Sequence, residues 1–295
     1  MQGGSQLTLQ TSLPKGKIII IDAYNMIHRC RFEWGGKPAT GEYQIVYNFF
    51  RTLRALVEES KPTMIFFPLD GAPKARLDSF DDYKGNRKVD TTDENTVKYW
   101  ESFHRQKRII INAVKYCYPI ISFYHPDYEC DDVILHLVED RIPKDKEAII
   151  ISSDTDFIQI INNHKNITLY NPITRSFREC TDYDYVSWKS MVGDVADNIP
   201  GVKGIGKKTA TKILSSTTEL AARLASDSFS QIYNRNYNLI ELKNLSEGDL
   251  PQLQVHGPNV LDRAKIESDF REMKFESMLK ESTLEKYLST FENVA

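Results

Sequence analysis

Aspartate residues follow several short apolar runs of the chain, at the places where β-strands would end. Asp22 follows the run IIII, Asp70 follows MIFFPL, and the pair Asp154 and Asp156 follows AIIISS. In open parallel sheets, ligands bind beyond the carboxyl ends of the strands, so these strands would deliver their carboxylates to one edge. A single aspartate after a strand is equally well explained as the cap of the next helix. Its recurrence after several strands favours a functional acidic edge.

Two further acidic segments could join this edge. The segment DYECDD contains Glu129, Asp131 and Asp132, and the segment GDVADN contains Asp194 and Asp197. Glu129 and Asp132 share a helical face and Asp131 does not, so all three converge only at a helix start, where the chain is still turning. Acidic residues at a helix start also favour the helix dipole, and a solvated turn explains the second segment. Neither segment alone indicates a site.

Together these segments offer nine carboxylates, which could not all remain ionised in one cleft unaided. Two like charges ~4 Å apart repel by roughly 4 kcal/mol at an effective dielectric of 20. Either several carboxylates bind protons, or divalent cations neutralise them. All-oxygen ligation indicates Mg²⁺ or Mn²⁺ rather than zinc. Two such ions suit phosphoryl chemistry, because they can activate a water and stabilise the leaving oxygen of an in-line displacement.

Two basic segments are candidates for phosphate contacts. GVKGIGKK, residues 201–208, resembles the P-loop pattern, but Lys208 stands where Ser or Thr would bind Mg²⁺, and no strand precedes it. Its glycine-rich turn would expose N–H groups that hold a phosphodiester without reading sequence. A solvated lysine-rich helix is the alternative. YKGNRK, residues 83–88, pairs an aromatic residue with cations and could stack on a base, although by itself this signal is weak.

The elements that would position these residues alternate between buried strands and amphipathic helices. Segments 43–57 and 131–138 carry apolar residues at helical spacing between apolar runs of strand length. This alternation predicts an α/β fold, with a parallel central sheet and helices on both of its faces. The predicted strands are Lys17–Ile21, Thr63–Phe67, Pro119–Phe123, Ala148–Ile151 and Ile167–Tyr170.

Two regions depart from this alternation. Residues 76–116 form a long polar insertion that we expect to be helical from Thr91 onward, and its length indicates a functional excursion. After Asp182 the strand pattern fades, and we expect mainly helical and irregular structure.

The composition excludes several classes of protein. The chain has 295 residues, of which 41% are hydrophobic and 27% charged, so it can build a sizeable core and is not largely disordered. A net charge of −3 excludes a uniformly basic nucleic-acid coat but not a local basic patch. The four cysteines form no CxxC pair, which favours unpaired thiols in a reducing compartment. No apolar run approaches the ~20 residues of a membrane span, and the N-terminal MQGGSQLTLQTSLPKGK lacks the apolar stretch of a signal peptide.

Taken in order, these segments resemble the flap endonuclease or 5′ nuclease family. The resemblance is greatest to the stand-alone bacteriophage 5′–3′ exonucleases, including the phage enzyme described as a ribonuclease H. The whole set in this order is highly specific, whereas any single segment is not. The matching segments span residues 18–210 and read IIIIDAYN, FFPLDG, YKGNRK, DYECDDV, IISSDTDF and GDVADNIPGVKGIGKKTA.

The resemblance implies two metal clusters in a cleft at the sheet edge, with two Mg²⁺ ions or, alternatively, Mn²⁺. The tighter site would take Asp22, Asp70, Glu129 and Asp131. The second site, partly through water, would take Asp132, Asp154, Asp156, Asp194 and Asp197.

The resemblance also assigns catalytic and DNA-binding residues. Lys84 and Arg87 match basic residues that assist cleavage at the base of a helical arch, and Tyr83 matches a position thought to stack near the scissile nucleotide. The helix–hairpin–helix element that holds duplex DNA, in the family often through a monovalent cation such as K⁺, would lie in the segment 201–208. The implied DNA-binding residues are Lys189, Gly201, Lys203, Gly204, Gly206, Lys207 and Lys208.

The implied organisation is a 5′–3′ exonuclease catalytic domain over residues 16–190, with its arch at about 76–116, followed by a DNA-binding helix–hairpin–helix region over 191–295. The implied enzyme is a hydrolase that removes RNA primers or flaps in DNA replication. Its partners would be DNA with a 5′ flap, fork or 5′ end, RNA–DNA hybrids, and replication proteins such as single-strand binding protein. We expect a monomeric, stand-alone, cytoplasmic nuclease without membrane contact, in the host cytoplasm if phage-encoded.

Three other functions remain open from the residues themselves. A PIN-like ribonuclease acting on single-stranded RNA shares the acidic edge but does not account for the basic hairpin or the long insertion. A non-catalytic DNA-structure-binding protein would not need an intact carboxylate at every motif position. A small-molecule phosphatase that uses Asp154 and Asp156 is remote, because it leaves the lysine-rich segment unexplained.

Overall fold

A computed structural model describes residues 12–32, 36–87 and 91–294. The N-terminal segment MQGGSQLTLQ, interpreted above as unlike a signal peptide, and Lys88 of the second basic segment lie outside the described residues.

The centre of the fold is a seven-stranded sheet with the order β6-β5-β4-β1-β2-β3-β9. Strands β1 to β5 run parallel to one another, and the edge strands β6 and β9 are antiparallel to their neighbours. Strands β7 and β8 form a separate antiparallel ribbon. The strands are β1 Ile18–Ile21, β2 Met64–Leu69, β3 Ile121–Tyr124, β4 Ala148–Ile151, β5 Ile167–Asn171, β6 Ser176–Phe177, β7 Gly193–Asp194, β8 Ile199–Pro200 and β9 Gln254–His256.

Helices cover both faces of the sheet and make up most of the chain beyond it. A turn of π-helix over Leu137–Arg141 extends α5. The helices are α1 Ala23–Arg29, α2 Gln44–Ser60, α3 Lys74–Ser79, α4 Glu94–Cys117, α5 Cys130–His136, α6 Ile158–Asn163, α7 Tyr185–Val192, α8 Lys207–Leu214, α9 Thr217–Leu224, α10 Asp227–Ile240, α11 Arg263–Glu272, α12 Glu276–Leu279 and α13 Glu281–Ser289.

The central strands are apolar throughout because both of their faces are buried. In β1, Ile19 and Ile21 join one apolar layer, whereas Ile20 joins the opposite layer. This alternation follows from the two-residue repeat of a strand. The first layer contains α2 and α4, and the second contains α5 and α6. The predicted α/β fold with a parallel central sheet is therefore confirmed.

The last part of the chain returns to this sheet. Strand β9 pairs with β3, with Phe123 opposite Val255. Helices α11 to α13 then pack on the first layer, where Phe270 and Phe291 are buried. The sequence predicted neither β9 nor β6, because both strands are too short to show an alternating pattern. The division into domains at residue 190 stays a prediction.

The five predicted parallel strands are all present, with ends that lie within two residues of the predicted ends. The helix expected after Thr91 is α4. In the described part of the chain, no helix combines the length and the apolar character that crossing a bilayer requires.

Candidate metal and nucleic-acid site

The order of the parallel strands reverses between β1 and β4. The chain leaves β1 for β2 and β3 on one side, and then returns to β4 and β5 on the other. Such a switch opens a crevice beyond the carboxyl ends of the two strands. Asp22 directly follows β1, and Asp154 follows β4, so the topology places both carboxylates at this crevice.

Asp22 is fixed by its neighbours on both strands. It caps α1, since Oδ1 accepts a hydrogen bond from the backbone N–H of Asn25 (3.1 Å). Its Oδ2 accepts from the Ser152 hydroxyl (2.7 Å). Ligand atoms of Asp22, Cys130 and Asp131 lie within 4.8 Å of one another. Asp22 therefore caps a helix and also belongs to a group of side chains that could hold a metal ion.

The start of α5 joins the same edge. The backbone N–H of Cys130 donates to Oδ1 of Asp70 (2.8 Å), which ties the end of β2 to this helix. Glu129 occupies the N-cap of α5, so Glu129 and Asp131 both stand where the chain is still turning. The sequence predicted that these carboxylates converge only at a helix start. Glu129 and Asp131 do stand at a helix start, and both line the cleft.

A second group of carboxylates lies across the cleft. Carboxylate oxygens of Asp156, Asp194 and Asp197 lie within 4.8 Å of one another. Lys189 from α7 forms ion pairs with Asp156 and, at 2.6 Å, with Asp194. The ribbon β7–β8 positions Asp194, whose Oδ1 accepts from the backbone N–H of Ala196 (2.8 Å).

Most of the predicted metal ligands meet in one cleft with a volume of about 1200 Å³. The cleft-lining carboxylates belong to Asp22, Asp70, Glu129, Asp131, Asp154, Asp156, Asp194 and Asp197. Asp132, the remaining predicted ligand, does not line the cleft. It lies in a buried ion pair with Arg76, whose Nη1 and Nη2 donate to its two oxygens at 2.6 and 2.8 Å.

Burial and mutual repulsion shift the pKa values of these carboxyl groups upward. Burial, opposed by hydrogen bonds and reinforced by Asp70 and Asp154, raises the pKa of Asp22 to about 7. Burial likewise raises the pKa of Asp70 to about 6. Burial, and then Asp22 and Asp154, raise the pKa of Asp131. The cluster therefore holds more negative charge than its protein surroundings balance, which is the condition that favours bound cations.

The second group is balanced differently. Burial raises the pKa of Asp156 to about 7, against the opposing effect of Lys189. Burial would also raise the pKa of Asp194, but Lys189 and backbone hydrogen bonds hold it below its ordinary value. Burial would lower the pKa of Lys189, but Asp156 raises it, so the lysine stays charged.

The cations of the YKGNR segment face the acidic edge. Lys84 has a left-handed backbone (φ 55°) and forms ion pairs with Glu129 and, at 3.7 Å, with Asp197. Arg87 forms an ion pair with Asp197. The Tyr83 ring is buried, with 5% of its surface exposed, and its hydroxyl donates to Glu129 (2.9 Å). Its ring has no free face for a base, and Tyr83 contacts the acidic edge through its hydroxyl.

The segments that supply these groups lie in a stretch of the chain that matches a known sequence family. Residues 17–190 match the model of the 5′–3′ exonuclease N-terminal resolvase-like domain, and residues 180–246 match the 5′–3′ exonuclease C-terminal SAM fold. The chain belongs to the 5′–3′ exonuclease family. The resemblance found in the motifs is confirmed, and membership of this nuclease family confirms the prediction of a hydrolase.

Relatives of this chain include bacterial DNA polymerases. The thermostable DNA polymerase I of Thermus thermophilus is 29% identical over 215 residues, covering 68% of this chain and 24% of the polymerase. The DNA polymerase I of Bacillus caldotenax is 27% identical over 296 residues, covering 90% of this chain and 32% of the polymerase. The chain thus spans about a quarter to a third of the length of these relatives.

Solved structures share the fold of this chain. The bacteriophage T5 flap endonuclease, in a complex with DNA and metal ions, superposes with a TM-score of 0.62 at 19% identity, covering 77% of this chain and 89% of that one. The catalytic core of Rad2 with a DNA substrate superposes with a TM-score of 0.51 at 13% identity, covering 96% and 95% of the two chains.

The predicted DNA-binding residues fall into two groups. Lys189 lies inside the cleft among carboxylates. The others lie in the turn that leads into α8 and at the start of that helix, with Lys207 lining the cleft and Lys203 and Lys208 exposed. Gly206 caps α8, so the turn ends at a helix N-terminus.

Arg76 is a residue of the site that sequence reasoning missed. Besides Asp132, its guanidinium donates to Glu129 (3.1 Å) and to the backbone carbonyls of Leu239 (2.9 Å) and Glu241 (3.1 Å). It therefore connects α5 with the end of α10. Nothing in the charged stretch around Arg76 marks it as buried, because its partners lie more than 50 residues away in the chain.

Proposed function

We propose that this chain is a Mg²⁺-dependent 5′ nuclease, which acts as a 5′–3′ exonuclease or flap endonuclease on branched or 5′-ended duplexes. The observation that carries the proposal is the single cleft in which carboxylates from separate segments converge. Among the described residues, no Lys, Arg or His nitrogen lies within 4.0 Å of the carboxylates of Asp22, Asp70, Asp131 or Asp154. Carboxylate oxygens that are not paired with a protein cation are suitable ligands for hard divalent ions such as Mg²⁺.

The proposed metal ligands are the cleft-lining carboxylates, in two groups. Asp22, Asp70, Glu129 and Asp131 would hold one ion, and Asp154, Asp156, Asp194 and Asp197 would hold the second. Two such ions would activate the attacking water and stabilise the leaving oxygen, with Mn²⁺ as the alternative to Mg²⁺. Asp132 is left out of this set, because Arg76 already engages both of its oxygens.

The side chains of the protein supply the remaining charge in this proposal. Lys84 and Arg87 line the cleft and would pair with the scissile phosphate. A phosphate that enters between the carboxylates brings its own negative charge, so cations at the entrance offset the repulsion. Lys189 would keep the second group partly neutral before any ion is bound.

The turn before α8 would hold the duplex away from the cleft. Lys203, Lys207 and Lys208 follow the glycines of this turn, and lysine contacts with phosphates position a duplex without reading its sequence. A monovalent cation such as K⁺ at this turn is part of the proposal. In this division, residues 16–190 form the catalytic domain, and residues 191–295 include the DNA-binding region.

The proposed biological role is the removal of RNA primers or flaps during DNA replication, by a monomeric enzyme of the cytoplasm that acts beside replication proteins. It is supported by the similarity to DNA polymerases and flap endonucleases. RNA–DNA hybrids are therefore included among the proposed substrates.

The decisive experiment follows the cleavage of an end-labelled 5′ flap with Mg²⁺ and with EDTA, and maps the sizes of the products. We expect Mg²⁺-dependent cleavage that leaves a 5′-phosphate and a 3′-hydroxyl. Asp70→Asn and Asp154→Asn should abolish cleavage while the flap is still bound, and the exposed Asp145→Asn is the matched control. Full activity of either cleft variant would refute the assignment, and cleavage of a plain RNA oligonucleotide in preference to the flap would favour a PIN-like ribonuclease.

A further inference from the structure

Two turns of the chain meet beside the second group of carboxylates. One turn, residues 82–87, carries Lys84 and Arg87, and we call it the cation turn. The other, residues 194–198, runs from the end of β7 to the start of β8 and carries Asp194 and Asp197, and we call it the carboxylate turn. The ion pairs of these charged side chains do not account for how the backbones of the two turns are held together.

Two hydrogen bonds of opposite direction join the turns near Lys84. The backbone N–H of Lys84 donates to the carbonyl oxygen of Asp197 (3.0 Å). In return, Nδ2 of Asn198 donates to the carbonyl oxygen of Asp82 (2.8 Å). Lys84 and Asn198 both have left-handed backbones, with φ values of 55° and 58°. Asparagine adopts this conformation more readily than most residues, so Asn198 combines the required backbone with the required donor.

A second pair of hydrogen bonds joins the turns near Arg87. Nδ2 of Asn86 donates to the carbonyl oxygen of Val195 (2.8 Å), and Nε of Arg87 donates to that of Ala196 (3.4 Å). All four of these residues are exposed, so the bonds bury little apolar surface. Because each bond ends on the backbone of the carboxylate turn, the pair fixes the course of that backbone beside the cations.

Packing also joins the turns, since Tyr83 and Ile199 belong to one apolar cluster. Apolar contacts are not directional, whereas hydrogen bonds to four backbone carbonyls define both distance and angle. Lys84 pairs with Glu129 and, at 3.7 Å, with Asp197, so its ammonium group lies between the two groups of carboxylates. A misplacement of about 1 Å in a catalytic group can slow a reaction about 100-fold. The exact position of the cation turn therefore matters to the chemistry.

We propose that Asn198 and Asn86 are positioning residues, which fasten the cation turn to the carboxylate turn and so hold Lys84 and Arg87 against the reacting phosphate. This inference rests on the proposed nuclease function and deepens it. The two cations line the cleft, whereas neither asparagine does. Asn198 therefore acts through Lys84, and Asn86 acts through Arg87.

The first measurement is hydrogen–deuterium exchange of the metal-free protein, which is independent of cleavage. Asn198→Gly keeps the left-handed backbone accessible and removes the donor to Asp82. We expect the amides of residues 84–87 to exchange at least about tenfold faster, because the fastening no longer protects them. Asn166→Gly is the matched control, since its Nδ2 also donates to a backbone carbonyl, that of Lys146 (2.8 Å), and it lies outside the cleft.

The second measurement is single-turnover cleavage of the 5′ flap at saturating Mg²⁺, in single and double variants. Asn198→Gly should slow cleavage about tenfold in the wild-type protein and less than about twofold in Lys84→Ala, because the position of a missing ammonium group has no effect. Asn86→Ala should show the same dependence on Arg87→Ala. The affinity for the flap in EDTA should change by less than about threefold in both asparagine variants, since neither residue contacts the substrate.

Unchanged exchange in Asn198→Gly would overturn the inference. So would a loss of rate that is equally large in Lys84→Ala, since the asparagine would then act on the fold rather than on the cation. Cleavage by the wild-type protein, with the same rate in Asn198→Gly, would refute the positioning role and leave the nuclease proposal standing. A wild-type protein that cleaves nothing would refute the nuclease proposal and the positioning role with it, whatever the exchange of the two turns.

Discussion

Every N–H group of the Arg76 guanidinium donates a hydrogen bond within the protein. Its five guanidinium hydrogens are matched by Asp132, Glu129 and two backbone carbonyls at the end of α10. Burial opposes the charge, but Asp132 raises the pKa of Arg76 well above its usual range. A buried pair of this kind is costly to break, because removal of one partner leaves the other charge buried and unpaired.

Arg76→Met should therefore lower the free energy of unfolding by about 3–5 kcal/mol, measured by urea denaturation. The matched control is Arg271→Met. Arg271 pairs with Glu267 one turn away on the surface of α11, and such a pair contributes less than about 1 kcal/mol. The double variant Arg76→Met, Asp132→Asn should recover part of the loss, because it removes the stranded charge. Equal losses in the two single variants would show that Arg76 acts as an ordinary surface arginine.

Lys84 is expected to act on the chemical step more than on binding. Its ammonium group lies between Glu129 and Asp197, within the cleft, rather than on an outer binding surface. Lys84→Ala should slow single-turnover cleavage by about 100-fold, the usual cost of losing one group that stabilises transition-state charge. The dissociation constant for the flap should change by less than about threefold. Lys98→Ala, on an exposed turn of α4, serves as the control, and the reverse pattern would remove Lys84 from the catalytic residues.

The raised pKa values of the carboxyl groups predict how the site depends on pH. With pKa values of about 7 for Asp22 and about 6 for Asp70, both groups bind protons at pH 5.5 that a divalent ion must displace. The affinity for Mn²⁺, measured by calorimetry, should fall by roughly 100-fold between pH 8 and pH 5.5. Affinity that does not change over this range would contradict the proposed ligands.

The same pKa shifts predict that the metal-free fold loses stability as the pH rises, whereas metal binding becomes stronger. The folded pKa values lie above the ordinary value of 3.8, so the folded protein binds protons that the unfolded chain has already released. The contribution of these groups to the stability of the metal-free fold is therefore fully present below about pH 4, and it is lost as the pH rises from there through about 6 for Asp70 and about 7 for Asp22. The melting temperature of the metal-free protein should therefore fall between pH 5.5 and pH 8. The fall should be smaller in Asp22→Asn, because the contribution of Asp22 is removed.

The ribbon β7–β8 positions the second group of carboxylates through close backbone contact. A Cβ on Gly201 would lie 2.2 Å from the carbonyl oxygen of Val192, and a Cβ on Gly193 would lie 2.4 Å from the Gly201 nitrogen. Gly193 also has a positive φ of 85°. The ribbon can therefore turn tightly enough to bring Asp194 to the cleft only if both positions lack side chains.

Gly201→Ala should cost about 2 kcal/mol of stability, because backbone atoms must move to admit the methyl group. It should also weaken divalent-ion binding, because Asp194 moves with the ribbon. Gly206→Ala is the matched control in the same segment, since its Cβ would meet nothing within 4 Å and the backbone has a negative φ. Its melting temperature should stay close to that of the wild-type protein, and a comparable loss in both variants would refute the close-contact explanation.

Much of the molecule could be predicted from the sequence because its local signals are strong. The parallel strands are continuous apolar runs, and each acidic residue at a strand end follows directly from the strand that precedes it. Contacts between distant segments left no local signal, as Arg76 with Asp132 and β9 with β3 show. Trp100 and His104 of α4 lie between these cases. They are four residues apart and share a helical face, but only the fold shows that both line the cleft.

The last prediction concerns how the end of the chain is joined to the sheet. Phe291 in the final turn is fully buried and contacts Tyr118 edge-on at 5.0 Å, and the hydroxyls of Tyr118 and Tyr287 are 2.7 Å apart. Phe291→Ala should therefore cost about 3–5 kcal/mol, as expected for a large side chain removed from a packed core. Val260→Ala, at a position that is 90% exposed, should change stability little. Because the terminal helices share one apolar layer with α2 and α4, near-UV circular dichroism and Mn²⁺ binding should be lost together in a single transition. An early transition that leaves Mn²⁺ binding intact would show instead that the terminal helices are a separate unit resting on the catalytic sheet.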